Sequence, residues 1–170
     1  SQEELQRFRQ LIVNVVLATD IFDPEMIQIR NSRWEKAFGG NASSTELSDQ
    51  DIQSLKATIV IEYIMQASDV SHSMQHWHVY QKWNERLFEE MYSAFQVGRG
   101  DQDPSLGWYK GELWFFDNYV IPLAKKLKES EVFGAASSQF LKFAMDNREE
   151  WEKKGEDIVA AFVGKHSQEL

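Results

Sequence analysis

The sequence predicts an all-α protein, most simply a helical bundle, on three observations. Proline occurs only three times in 170 residues, and no segment alternates apolar and polar residues as half-buried strands do. Apolar residues instead recur at steps of three and four, as on one face of a helix. The hydrophobic share is 42% and the aromatic share 13%, which is typical of a chain that packs a core.

Charge and cysteine content exclude several classes of protein. The net charge of −9 argues against nonspecific binding to nucleic acid or to an anionic membrane, because both need clustered Lys and Arg. Without cysteine, the chain has no disulfide, thiolate nucleophile or cysteine zinc site. No apolar run reaches the roughly 18–20 residues of a membrane span, and SQEELQRF is not a signal peptide. We expect a cytoplasmic protein, or the cytosolic part of a membrane-anchored one.

Three helices are predicted in the first part of the chain. The first covers Leu5–Thr19, and the second begins at Pro24, with Asp23 as N-cap, and ends near Phe38. In the second helix three apolar residues should face inward and three basic residues outward: Met26, Ile27 and Ile29 against Arg30, Arg33 and Lys36. After a predicted loop at Gly39–Thr45, Ser48 and Asp51 form a weak capping box for a helix from Asp49 to Ala67. This helix becomes strongly apolar at Ile59–Met65, with Glu62 as the only charge, and should therefore be buried.

Four more helices are predicted in the second part of the chain. Pro122 should bend the second of these, and Ser137 or Ser138 should cap the third. The expected spans are Ser73–Phe95, Lys110–Glu129, Ser137–Lys154 and Glu156–Lys165, with a loop at Gly98–Gly107. We find no internal repeat or linker, so the chain is one domain or a large part of one.

Asp69 is the first candidate for chemistry. It follows an apolar run, where a carboxylate is costly unless it is paired or bound to a metal. The alternative is a cap at a helix break, since Ser68 and Ser71 are also good capping residues, and the spacing alone favours the cap. On an unbroken helix Asp69, His72 and His76 would share a face and could hold a metal, but the segment SDVSHS is poor at continuing a helix.

An aromatic face is predicted on the following helix, formed by Tyr80, Trp83, Leu87 and Met91. Such a face is more often core than ligand pocket, and both interpretations stay open at this point. No nucleotide-binding glycine loop, HExxH zinc motif or nucleophile motif occurs. The residues alone therefore predict an acidic all-α protein that could hold a metal near Asp69.

The run ASDVSHSMQHWHVYQKWNERLFEEM resembles the class I 3′,5′-cyclic-nucleotide phosphodiesterase catalytic domain. Within that family it is most similar to algal and protist members. LIVNVVLATDIFD, FFDNYVIPL and DNREEW resemble further segments of that family in the same order. The resemblance covers nearly all of Leu5–Trp151. It implies the C-terminal part of the all-α phosphodiesterase fold, with residues 1–170 as a single partial catalytic domain that lacks the metal-binding N-terminal half.

The resemblance also implies a mechanism and a set of site residues. In the family two divalent metals, zinc with magnesium or manganese, activate a hydroxide that attacks the cyclic phosphate, and a histidine protonates the leaving oxygen. Asp69 corresponds to a metal ligand, which now outweighs the cap, and Thr19 and Asp20 lie beside the metal pocket. The positions that line the nucleotide pocket are His72, Tyr80, Trp83, Asn84, Leu87 and Met91, with Phe115 stacking on the purine.

Two departures from the family limit this expectation. The other metal ligands and the acid histidine belong upstream of residue 1, and the chain's own histidines are not placed to replace them: His72, His76, His78 and His166. We therefore expect no catalytic residue here, no retention of both metals, and an inactive fragment.

The second departure is Glu112, which stands where the family has a purine-binding glutamine. An ionised carboxylate only accepts hydrogen bonds, which favours cAMP over cGMP if the site binds a nucleotide. The alternative is that a different residue of the pocket contacts the purine.

The expected partners are a cyclic nucleotide and the N-terminal half of the same domain. Helices that lack that half should expose apolar surface, so self-association is expected. Two alternatives stay open: a noncatalytic module that binds cyclic nucleotides, and a plain helical interaction domain.

Overall fold

The computed structural model describes residues 1–39 and 48–166. Within these ranges all regular structure is helical, which confirms the all-α prediction. The α-helices are α1 Gln2–Ala18, α2 Pro24–Phe38, α3 Asp49–Asp69, α4 Trp77–Gln96, α5 Trp108–Phe115, α6 Ile121–Glu129 and α7 Ala135–His166. Short 3-10 turns form at Ser71–Met74 and Pro104–Leu106, and a π-helical segment at Phe116–Val120. Most of the loop predicted at Gly39–Thr45 lies outside the described residues.

The chain divides into two compact units. The first comprises Ser1–Asp69 with Glu129–Val132, and the second Val70–Lys128 with Phe133–Leu170. The organisation as one partial catalytic domain stays a prediction. In the described part of the chain, we find no helix with both the length and the apolar character that crossing a membrane requires.

Helix starts in the first unit follow the predicted caps. Asp23 accepts hydrogen bonds from the backbone N–H groups of Glu25 and Met26, at 2.8 and 3.2 Å, with Pro24 in the first turn. Ser48 and Asp51 exchange two backbone-to-side-chain hydrogen bonds of 3.2 Å at the start of α3. Both predicted caps are confirmed. Each depends on residues only two or three positions apart, so the local sequence was enough to predict it.

The predicted orientation of α2 is wrong for four of its six residues, since only Met26, which is half-buried, and Lys36, which is exposed, lie as predicted. Ile27 and Ile29 are exposed, whereas Arg30 is buried and Arg33 is half-buried. Arg30 donates from its two terminal nitrogens to the carbonyl oxygens of Ala18 and Asp20, at 2.6 and 2.8 Å. A guanidinium has enough donors to satisfy carbonyls that the end of α1 leaves unpaired.

Arg33 is turned inward by a buried acid. Its Nη1 lies 2.8 and 2.9 Å from the two carboxylate oxygens of Glu62, which is 2% exposed. A carboxylate buried to this extent needs an opposite charge. The burial predicted for Ile59–Met65 holds at Ile59, Glu62 and Tyr63, whereas Ile61 is 37% exposed. The inward position of Arg33 follows from the burial of Glu62.

The second unit is organised around α7. This helix runs without a break from Ala135 to His166, so the two helices predicted on either side of Gly155 are one. A Cβ at Gly155 would lie 2.7 Å from Cδ2 of Tyr109, so the missing side chain makes room for that ring. Ser137 lies buried within the first turn of α7 and is not its N-cap.

The helix predicted over Lys110–Glu129 consists of α5, the π-helical segment and α6. Pro122 is the second residue of α6. Proline has no N–H, and its ring clashes with the carbonyl four residues earlier. The turn before Pro122 is a wider π turn, in which the N–H of Ile121 donates to the carbonyl of Phe116. This wider turn accommodates both effects of the proline. The helix is therefore irregular just before Pro122, whereas the predicted bend stays a prediction.

Candidate functional site

Helix α4 has two stripes of side chains with different environments. Tyr80, Asn84 and Phe88 are buried, whereas Trp83, Leu87 and Met91 are 49%, 45% and 48% exposed. The single face predicted from Tyr80 to Met91 is therefore wrong in one member, because Tyr80 lies on the inner side. The long helix predicted from Ser73 also begins later, at Trp77, after the 3-10 turn.

A chain of hydrogen bonds crosses from the inner stripe of α4 to α5. Nε1 of Trp108 donates to Oδ1 of Asn84 at 3.1 Å, and Nδ2 of Asn84 donates to the hydroxyl of Tyr80 at 3.4 Å. The Tyr80 hydroxyl in turn donates to Oε2 of Glu112 at 2.7 Å. Tyr80 and Asn84 are only 1% and 3% exposed, so water does not compete for these bonds.

Burial shifts the proton affinities at the Glu112 end of this chain. It raises the pKa of Glu112 above its ordinary value, although hydrogen bonds from Tyr80 and Asn84 act in the opposite direction. Burial also holds the pKa of Tyr80 well above its ordinary value, and the neighbouring Glu112 adds to the effect. Tyr80 therefore stays protonated and remains a donor to Glu112.

A cavity of about 590 Å³ opens beside Glu112. Its lining combines one residue of the outer stripe of α4 with α5 and the segment before α5: Met91, Gln102, Asp103, Pro104, Leu106, Gly107, Trp108, Gly111 and Glu112. Its size is within the range of small-molecule sites, which combine apolar walls with a few polar groups. Phe115, one turn after Glu112, is half-buried and stacks on Tyr119 with ring centroids 5.4 Å apart.

His72 and Trp83 lie near each other in the second unit. Their ring centroids are 6.2 Å apart, and the guanidinium of Arg86 lies 5.1 Å from the Trp83 ring. Burial lowers the pKa of His72, which favours the neutral imidazole. A neutral ring can accept as well as donate a hydrogen bond.

The turn that carries His72 is held by a residue of α7. Nδ2 of Asn147 donates to the carbonyl oxygens of Ser73 and Gln75, at 3.0 and 2.8 Å, and Asn147 is 1% exposed. The amide thus uses both of its hydrogens. The sequence analysis gave no role to Asn147 or to Trp108; the only signal was that Asn147 lies in the DNREEW segment.

The remaining predicted residues lie in the first unit. Asp69 is the exposed last residue of α3. Thr19 and Asp20 are exposed after α1, where the Thr19 hydroxyl donates to the carbonyl of Val16 at 2.8 Å. The Asp20 carboxylate accepts from the backbone N–H groups of Phe22 and Asp23 at 3.2 and 3.3 Å. The structure gives these side chains ordinary turn contacts at the end of α1.

The described residues do not fit a two-metal centre. Nowhere in ranges 1–39 and 48–165 do three or more His, Asp or Glu side chains converge in a way that could hold an ion. The 3-10 turn at Ser71–Met74 interrupts the helix that an Asp69–His72–His76 site would need, as the sequence suggested. His76 packs instead against Phe143, with ring centroids 4.4 Å apart. The side chain of His166 lies outside the description.

Comparison with known proteins identifies the family. The family model for 3'5'-cyclic nucleotide phosphodiesterase matches residues 1–135 of the chain. Comparisons with curated proteins and with solved structures returned no significant match. The matched range includes every predicted site residue, whereas most of α7, with Asn147, lies beyond it. The chain belongs to the 3'5'-cyclic nucleotide phosphodiesterase family.

Proposed function

We propose that the chain forms the nucleotide-binding wall of a cyclic-nucleotide phosphodiesterase catalytic domain. The observation that carries the proposal is the exposed stripe Trp83–Leu87–Met91, whose last member, Met91, lines the same cavity as Glu112. Half-exposed large apolar side chains are costly to leave in water, and a flat purine would cover them. Phe115 would supply the stacking ring and His72 a polar group at the wall.

Glu112 supports recognition of the base within this wall. A polar group in an apolar cavity fixes the orientation of a ligand, because a ligand that leaves it unpaired loses affinity. As an acceptor, Glu112 favours cAMP among the cyclic nucleotides. The family implies a metal-dependent phosphodiesterase, and the complete domain would hydrolyse the cyclic ester to a 5′-monophosphate.

Binding of the two metals would require more ligands than the described residues provide. Asp69 would be one ligand, with Thr19 and Asp20 beside it. One carboxylate cannot hold two divalent ions. We therefore expect this chain alone to bind cyclic nucleotide without hydrolysing it.

Two measurements test the proposal together. Adding cAMP should raise the melting temperature of the chain, because a ligand that binds only the folded state stabilises it. Adding magnesium or manganese with cAMP should release no AMP above background. Release of AMP would contradict the expected inactivity, and the absence of any shift with cAMP or cGMP would contradict the nucleotide wall and favour a helical interaction domain.

A second candidate is a noncatalytic nucleotide-binding module. The absence of a convergent set of three ligand side chains in the described ranges favours it. The two functions differ when the chain is joined to, or mixed with, a segment that supplies metal ligands. Hydrolysis restored by such a segment would support a catalytic part, and binding without hydrolysis under the same conditions would support the module.

Self-association is a further expectation for the first unit. Large apolar side chains are exposed along α1: Leu5, Phe8, Ile12, Val13, Val16 and Leu17. An apolar surface of this kind is a site for contact with another protein surface. We expect the chain to elute from size exclusion above its monomer mass, and charged substitutions at Phe8 and Ile12 to restore the monomer. A monomeric wild type would contradict the expectation.

A further inference from the structure

We propose that Met91 is a site of reversible oxidation, at which a hydroperoxide converts the thioether to a sulfoxide and so weakens nucleotide binding. The inference rests on the proposed function and adds a modification that regulates the same site. With hydrogen peroxide, the sulfur forms a bond to one oxygen, the O–O bond breaks, and the other oxygen takes up the remaining proton and leaves as water. The same electron pair oxidises the sulfur and reduces the peroxide. Methionine sulfoxide reductases reverse the change.

Methionine is the residue type of this chain that a peroxide should oxidise first. The chain has no cysteine, whose thiolate would otherwise compete for the oxidant. Among the methionines, Met74 is 4% exposed, and Met26 and Met65 are half-buried. Met91 and Met145, by contrast, are 48% and 53% exposed. Because a dissolved peroxide has to reach the sulfur, we expect these two residues to react before the others.

The two exposed methionines differ in what lies beside them. Met91 is the last member of the outer stripe of α4 and lines the cavity of about 590 Å³ together with Glu112. Met145 lies on α7 and is not among the residues that line this cavity. A nucleotide in the cavity would therefore contact the thioether of Met91 and not that of Met145.

A sulfoxide at Met91 should weaken the contact with a purine. The thioether is apolar and polarisable and contacts aromatic rings favourably, whereas the sulfoxide is polar and carries an oxygen that accepts hydrogen bonds. A purine on the stripe would cover this oxygen and remove it from water. In the proposed site the adenine amino group donates to Glu112, and Asp103, the other charged residue of the lining, only accepts when ionised. An acceptor covered without a donor costs enough to lower the affinity about tenfold.

The same geometry predicts that a bound nucleotide protects Met91. A purine that covers the side chain also keeps the peroxide from its sulfur. Saturating cAMP should therefore slow the oxidation of Met91 and leave the oxidation of Met145 unchanged. A general effect of cAMP on the stability of the chain would slow both reactions, so Met145 is an internal control.

The test treats the whole 170-residue chain with hydrogen peroxide and follows each methionine by mass spectrometry of its peptides. Calorimetry measures the affinity for cAMP before and after treatment. We expect the wild type to lose affinity about tenfold and to regain it after incubation with methionine sulfoxide reductase. Met145→Leu should lose affinity as the wild type does. Met91→Leu should bind cAMP equally before and after treatment, whatever its starting affinity.

The outcomes separate this inference from the proposed function. Unchanged affinity of the wild type after Met91 is converted to the sulfoxide, or an equal loss in Met91→Leu, would overturn the inference and leave the nucleotide site in place. If Met91→Leu fails to fold or to bind, the protection of Met91 by cAMP decides, and oxidation at the same rate with and without cAMP would overturn the inference. Absence of binding by the untreated wild type would overturn the proposed function and, with it, the inference.

Discussion

The two stripes of α4 have the same four-residue spacing but different surroundings. The inner stripe, Tyr80–Asn84–Phe88, is buried, and the outer stripe, Trp83–Leu87–Met91, is about half exposed. The rings of Phe88 and Phe162 of α7 have centroids 5.2 Å apart, so the inner stripe has neighbours that the outer one lacks. Helical spacing locates a face, and the elements packed against it decide whether it is core or surface.

Substitutions in the inner stripe should have the largest effect, and that effect should be a loss of stability. Phe88 is 0% exposed, so Phe88→Ala leaves a cavity among packed rings and should lower the free energy of unfolding by about 3–5 kcal/mol. Urea unfolding of the variant measures this. Leu87→Ala, on the outer stripe, is the matched control and should cost less than about 1 kcal/mol. Equal losses in the two variants would remove the distinction between the stripes.

Asn147 extends the comparison to the turn before α4. Asn147→Ala removes the amide that donates to the carbonyls of Ser73 and Gln75, and burying those carbonyls unpaired should cost about 1–3 kcal/mol. Urea unfolding is again the measurement. Asn118→Ala is the control, because Asn118 is exposed and makes a single bond of 2.9 Å to the carbonyl of Trp114. A larger loss at Asn118 than at Asn147 would contradict this role.

Substitutions in the outer stripe should weaken nucleotide binding and leave stability nearly unchanged. Trp83→Ala removes a ring that would contact the nucleotide, and we expect cAMP affinity to fall by an amount equivalent to about 1–3 kcal/mol. Because Trp83 is 49% exposed, the free energy of unfolding should change by less than about 1 kcal/mol. Calorimetry with cAMP and urea unfolding measure the two quantities.

Trp114→Ala is the control for Trp83, since Trp114 is 52% exposed and is not assigned to the site. It should leave cAMP affinity unchanged. If both tryptophan variants bound cAMP as the wild type does, the outer stripe would not be the nucleotide wall.

Glu112 gives the smallest expected effect, a pH dependence of stability. Burial raises its pKa in the folded state, so the folded protein binds this proton more tightly than the unfolded chain. The stabilisation is complete below the ordinary pKa of glutamate and is lost as pH rises through the raised value. In Glu112→Gln that loss disappears, so its stability relative to wild type should increase from about pH 4 to neutral pH.

Asp51 provides the opposite sign as a control. Hydrogen bonds from the hydroxyl and the backbone N–H of Ser48 lower the pKa of Asp51, so its stabilisation is present above the ordinary pKa and is lost as pH falls. Asp51→Asn should therefore lose stability relative to wild type from acid to neutral pH. Urea unfolding at the two pH values measures both variants, and the same sign in both would contradict the assigned environments.

Local rules predicted the parts of the fold that depend on neighbours in sequence. The caps at Asp23 and Ser48 needed only residues a few positions away. The burial of Arg33 depends on Glu62, 29 residues later along the chain, and the missing side chain at Gly155 in α7 makes room for the ring of Tyr109. Such features require a partner whose position the sequence does not indicate.

The candidate site shows the same limit. The resemblance to the phosphodiesterase family supplied positions such as Trp83 and Glu112, and the family match covers them. It could not show that Tyr80 is buried while Trp83 is exposed, because both lie within one helical turn. Nor did it indicate that Trp108 donates a hydrogen bond to Asn84, because the two residues lie 24 positions apart in the chain.

The indole signals of the six tryptophans give the most direct test of where the nucleotide binds. In a nitrogen–proton correlation spectrum of the labelled chain, saturating cAMP should shift the signals of Trp83, at the outer stripe, and Trp108, at the cavity. The signal of Trp34, on α2 in the first unit, should stay in place. Shifts at Trp83 and Trp108 that depend on cAMP concentration would support the nucleotide wall on α4 and α5, and unmoved signals at both residues under saturating cAMP would contradict it.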